Sequence, residues 1–166
     1  EVKCEEIYDG DMKAIKGFKR VYAGSNTFAI TNEKYNIVQN SEAFSIIDNV
    51  LGQSQAQIST VGWTGFGNNC FIQAKMPESI EVLQGDNMDK YLTVFTSHDG
   101  KCSIKAFFTC VRTICANQMS KVKSQKLATK GTNSVRIRHS ASVQQKIEIA
   151  SKLLMQGAES WDSIKE

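Results

Sequence analysis

Proline is nearly absent: Pro77 is the only one in 166 residues. A Pro-rich linker is thereby excluded, and a split into two domains is not expected. No apolar run approaches the roughly 18 residues that a membrane-spanning helix needs. Histidine occurs twice, at His98 and His139. The five cysteines (Cys4, Cys70, Cys102, Cys110, Cys115) contain no Cys-x-x-Cys pair. The spacing Cys102-x7-Cys110-x4-Cys115 fits no zinc ribbon or finger, so no metal is expected. An odd cysteine count in a chain this long argues against a disulfide framework and for a reducing, cytoplasmic compartment. A P-loop is missing, as is a dinucleotide fingerprint, so no nucleotide cofactor is expected. The start, Glu1 to Glu6, is polar and acidic with no initiator Met. It does not resemble a signal peptide and suits a processed or excised chain.

What is present is the balance of a globular protein: 41% apolar and 22% charged residues. The length suits one domain, residues 1–166, with 1–17 as a peripheral N-terminal segment. The net charge of +3 hides an asymmetry. Residues 1–100 carry 8 Lys/Arg against 13 Asp/Glu, a net of −5. Residues 101–152 carry 11 Lys/Arg against Glu148 alone, a net of +10. A field of that sign concentrates polyanions near one face, although solvated lysines are its ordinary explanation.

The pattern predicts short strands at 18–22 and 27–30 around the turn Gly24-Ser25-Asn26, and a weaker one at 34–39. Asn40 is placed to cap a helix whose stripe is Ala43, Phe44, Ile47, Val50 and Leu51, closed by Gly52. Strands are then expected near 58–63, 70–76, 79–83 and 91–96. Asp99-Gly100 signals a two-residue hairpin into a long strand, 103–114. Residues 116–130 read as a short helix and a loop. Val135 to Arg138 alternates as a half-buried strand with both arginines on one face. Ser142 and Gln145 form a capping box for a helix to about Met155, striped by Val143, Ile147, Ala150 and Leu154. This order makes the chain α+β: an antiparallel meander with helices packed on one face.

Ser97-His98-Asp99 holds the residue types of a triad, but neighbours on an extended chain point apart, so a hairpin shoulder is the better reading. Trp63 and Phe66, in a glycine-rich turn, are candidates to stack on bases; a tryptophan there ordinarily belongs to the core. Arg112 falls on the apolar face of its strand, where a charge is costly unless it is paired or lines a cleft. Lys121, Lys123, Lys126, Lys130, Arg136, Arg138 and His139 complete the basic set.

Four segments carry a resemblance: Tyr35 to Phe44 (YNIVQNSEAF), Thr96 to Gly100 (TSHDG), Thr109 to Asn117 (TCVRTICAN) and Ile137 to Ser140 (IRHS). In order and spacing the chain resembles the phage/plasmid-like protein family of unknown function, whose members are encoded on phages, prophages and plasmids. At fold level it is similar to the core of phage single-strand annealing proteins. Those proteins bind single-stranded DNA along a basic groove and form rings or filaments.

The resemblance implies a non-enzymatic single-stranded DNA binder of phage or plasmid recombination or replication, in a bacterial cytoplasm. It would use no cofactor or metal, would not touch membrane, and would assemble with itself. Lys121, Lys123, Arg136 and Arg138 would hold phosphates, with Arg112 at the cleft and Trp63 or Phe66 against bases. Two other readings stand beside it. One is a nucleic-acid-processing enzyme using His98 and Asp99; the other is a protein-interaction module, such as a host inhibitor, with a basic docking face. Self-association is expected through the unguarded edge of the 103–114 strand.

Overall fold

The computed structural model describes residues 1–52, 57–83, 86–110 and 134–161. Arg112, Lys121, Lys123, Lys126, Lys130 and Cys115 lie outside them. So do the expected strand end at 111–114 and the expected helix and loop at 116–130.

Among the described residues, two antiparallel sheets and two helices make the α+β fold. The first sheet is β1 (Lys3–Tyr8), β2 (Ala14–Ala23) and β3 (Asn26–Asn32), in that order. Residues 34–39 are not a strand. Val38 is buried in the core, and Val2 and Gln39 exchange two hydrogen bonds (3.1 and 2.8 Å), so this segment anchors rather than pairs. Helix α1 (Asn40–Leu51) starts one residue earlier than expected, with Gln39 as its cap and the Gln39 N–H donating to Glu42 Oε2 (2.8 Å). Gly52, at φ 72°, closes it by donating to the Asp48 carbonyl, the left-handed ending that glycine adopts without a Cβ penalty.

The second sheet is the expected meander: β4 (Gln57–Thr64), β5 (Asn69–Leu83), β6 (Asp86–Ser97), β7 (Ile104–Thr109) and β8 (Ser134–Ile137), paired in chain order. The strands expected at 70–76 and 79–83 are one strand. The ladder slips between Lys75 and Ser79, around Pro77, which has no N–H to give. The Asp99-Gly100 hairpin exists, but its connection is longer than two residues: pairing resumes at Lys105 opposite Phe95. Gly100 sits at φ 72°, as such a turn requires.

Helix α2 (Val143–Trp161) extends beyond the expected end, and its stripe of Val143, Ile147, Ala150 and Leu154 is buried as the period demands. Both helices lie on one face of the second sheet. They share a core with Ala74, Leu92, Val94, Ile104, Ala106, Phe108 and Ile137. On the opposite face Phe71 packs with Phe95, and buried Gln73 donates to Thr93 Oγ1 (2.9 Å). Strand β7 has β6 on one side and β8 on the other. Its edge is therefore not available for self-association, which corrects the expectation placed on it. Among the described strands, β4 and β8 are the outer ones.

Candidate nucleic-acid interface and a buried histidine pair

Edge strand β8 is short, and α2 crosses the helix side of the sheet beside it. Val135, Arg136, Ile137 and Arg138 from the strand and Lys146, Ile149, Ala150 and Leu153 from the helix enclose an open cleft of about 470 Å³. Its floor is aliphatic and its rim basic. Arg136 and Arg138 are exposed, and among the described residues neither they nor Lys105 and Lys146 have an ion-pair partner. The Lys146 ammonium donates to Ser140 Oγ (2.7 Å) at the same end. Arg136 stands directly across from Lys105 on β7. Like charges at a cross-strand pair are unfavourable, and a bound anion relieves them. Arg136 lies within the ladder and Arg138 follows the last paired residue; both are exposed on either side of buried Ile137, as the alternation expects, and both line the cleft.

Trp63 and Phe66 are elsewhere. Trp63 is 69% exposed on β4 and Phe66 88% exposed at the tip of the β4–β5 turn, so the tryptophan is not a core residue. Four strand-to-strand steps separate β4 from β8, roughly 19 Å at about 4.8 Å each. The aromatic and basic candidates therefore do not form one pocket.

Three of the four segments behind the family resemblance meet around His98; the fourth, Thr109 to Asn117, lies mostly outside the described residues. His98 is fully buried. Its Nε2 donates to Asn40 Oδ1 (2.8 Å), and the Asn40 amide nitrogen donates to Cys70 Sγ (3.3 Å). The ring stacks against Phe28 at 6.2 Å. His139 stacks on Tyr35 at 5.2 Å, with Nδ1 3.2 Å from the Tyr35 hydroxyl. That hydroxyl donates to the Ser97 carbonyl (3.5 Å). Among the described residues, His98 Nδ1 and His139 Nε2 have no hydrogen-bond partner.

Burial, reinforced by His139, pushes His98 down to about 4 against the pull of Asp99. Burial also lowers His139, opposed by the Asn36 carbonyl and Asp99. Tyr35 is pushed well above the usual phenol range by burial and then by the Asp99 charge. Both shifts favour the neutral rings. Ser97 Oγ bonds Asp99 Oδ1 (2.6 Å) rather than His98, so the three adjacent residues form a turn shoulder and not a triad. Sequence reasoning missed this cluster because its partners lie 58 and 104 residues apart.

Among the described residues no group of three or more His, Cys, Asp or Glu is arranged to hold a metal ion, and no helix is long and apolar enough to cross a membrane. The sequence profile described as "Domain of unknown function (DUF932)" matches residues 27–166. No curated protein and no solved structure matches the chain. The profile takes in β3, both helices and the entire second sheet, with the histidine pair and the basic cleft, and the chain belongs to this DUF932 family.

Proposed function

We propose that the protein binds single-stranded DNA along the cleft between β8 and α2, without catalysis, in phage or plasmid recombination or replication. The observation that carries the reading is the cleft's rim: Arg136, Arg138 and Lys146, with Lys105 behind them, carry charge that no carboxylate neutralises among the described residues. Phosphates suit such a rim, and displaced counterions supply much of the affinity. The aliphatic floor of Ile149, Ala150 and Leu153 suits unpaired bases, which a duplex does not offer. Lys121, Lys123, Lys126, Lys130 and Arg112 belong to the same basic stretch of sequence. Copies aligned along one strand would make the filament or ring that the annealing analogy implies.

The enzyme reading has less support, because His98 is sealed from solvent and committed to Asn40. The test is a titration against single-stranded and double-stranded oligonucleotides over a range of salt. With about 4–6 phosphates neutralised, the log–log salt slope for single strands is roughly −3 to −4. Failure of any oligonucleotide to bind at low salt removes the reading. Binding of acidic polypeptides in preference to DNA would replace it with a protein-docking role.

A further inference from the structure

Strand β4 is an edge without the usual guards. No Asp, Glu, Lys or Arg occurs between Asp48 and Lys75, and no proline either. Natural edge strands are ordinarily protected by such residues. Cross-strand register puts Ile58, Val61 and Trp63 opposite or beside Ala74, Ile72 and Cys70, which is the side of the sheet that carries the helices. Helix α1 packs on β5 and β6 and leaves this stripe uncovered. Ile58, Val61 and Trp63 are 50%, 58% and 69% exposed. Phe66, at the end of the same edge, adopts φ 56°. A bulky residue is rarely found there, and the strain holds an aromatic ring out in solvent.

We infer that β4 is a self-pairing edge: two copies join β4 to β4 antiparallel about a two-fold axis normal to the sheet. The second sheet then continues across the two copies, with all helices on one side. The chemistry selects a second copy as the occupant. A two-fold contact brings each residue near its own kind, so a charged edge would repel itself, and this edge carries no charge. The same neutrality gives an acidic or basic partner nothing to recognise. The area is adequate. At 150–250 Å² for an aromatic side chain, Trp63 and Phe66 with Ile58, Val61 and the strand backbone present about 500 Å² per copy. Two copies bury about 1,000 Å², the lower limit for a stable interface. One register sets Trp63 across from Val61 of the second copy, the aromatic–β-branched pair that antiparallel sheets favour. The basic clefts then lie at the two outer ends, where they remain open.

The inference does not rest on DNA binding and is tested without nucleic acid. Sedimentation velocity from 1 to 100 µM should show a monomer–dimer equilibrium in the wild type. Val61→Lys/Trp63→Lys should sediment as a monomer at every concentration, with unchanged far-ultraviolet circular dichroism. Phe66→Gly relieves the left-handed strain and so retains the fold; it should weaken the dimer several-fold. Arg136→Glu/Arg138→Glu should leave the dimer intact. A wild type that is monomeric at 100 µM overturns the inference. So does a dimer that both β4 variants leave unchanged, or a ring or filament formed in the absence of nucleic acid.

Discussion

The two outer strands of one sheet have opposite chemistries. Strand β4 is neutral, with aromatic and branched aliphatic side chains held in solvent. Strand β8 is basic: its Arg136, with Arg138 just beyond it, lines a cleft and has no ion-pair partner among the described residues. Both edges end the same hydrogen-bonded ladder and rest on a continuous core. The comparison shows how an antiparallel meander can separate two tasks. On the two proposals, its first strand would face a copy of itself and its last a polyanion, with three strands holding them apart.

The most severe way to break the comparison is to remove what both edges share. Ile147 is fully buried on α2 within the core that also holds α1 and the sheet. Ile147→Ala should cost about 2–5 kcal/mol, measured by urea denaturation, and should weaken association and DNA binding together. Gly62→Ala separates the edges. A Cβ there would stand 2.6 Å from the Phe71 ring, so a ring packed against Phe95 must shift. The expected cost is about 1–3 kcal/mol. Arg136→Ala, on the exposed edge, should change stability by less than about 0.5 kcal/mol.

Arg136→Ala/Arg138→Ala sharpens the basic side. Each lost phosphate contact removes about 0.7 from the salt slope, so the slope should flatten by about 1.4 and affinity at 0.1 M salt should fall about 25-fold. An unchanged slope in a folded double mutant would detach DNA from β8. Acid acts on neither edge. His98 binds its proton near pH 4 in the folded protein and near 6.5 unfolded, so the unfolded state holds more protons in between. Stability should therefore fall as pH drops from about 6.5 to 4, by at most about 1.4 kcal/mol per pH unit for this group. His98→Asn should flatten that part of a thermal-melt series, whereas Arg138→Ala should not. The smallest effect is expected from Trp63→Ala/Phe66→Ala: DNA affinity should change less than about twofold. A tenfold loss would carry the DNA path across the sheet and merge the two edges.

Where one side of an element faces the core, its residues announced it. The 3.6-residue stripes of Ala43, Ile47 and Leu51 and of Val143, Ile147, Ala150 and Leu154 marked both helices, and they are buried as expected. Strand β1, Lys-Cys-Glu-Glu-Ile-Tyr, has little apolar period, because its sheet exposes most of both faces. Pro77 read as a strand boundary, since local rules cannot show that a register slip will accommodate it. Which strands end the sheet was not legible either, and that error put self-association on β7. In the cleft, Arg136 and Arg138 were visible as a pair, but the aliphatic floor came from Ile149 and Leu153, which look like ordinary wet-side residues of a helix. His98 looked like a turn residue. Its burial depends on Asn40 and Phe28, which only the folded chain brings near.

Strand β3 starts at Asn26, and the family match starts one residue later. Strands β1 and β2 lie upstream of it, yet β3 takes its ladder from β2, from Phe18 opposite Asn32 to Ala23 opposite Asn26. Phe28 of β3 supports His98, and Thr31 of β3 touches the space above Gly100. A polypeptide cut at the family boundary would lose the template that positions Phe28 and would uncover a histidine kept neutral by its dry surroundings. The segment that the family profile matches is therefore shorter than the segment that completes the first sheet. Transplanting the shorter one into another protein should yield a product whose hydrogen-exchange protection fails first around residues 96–100.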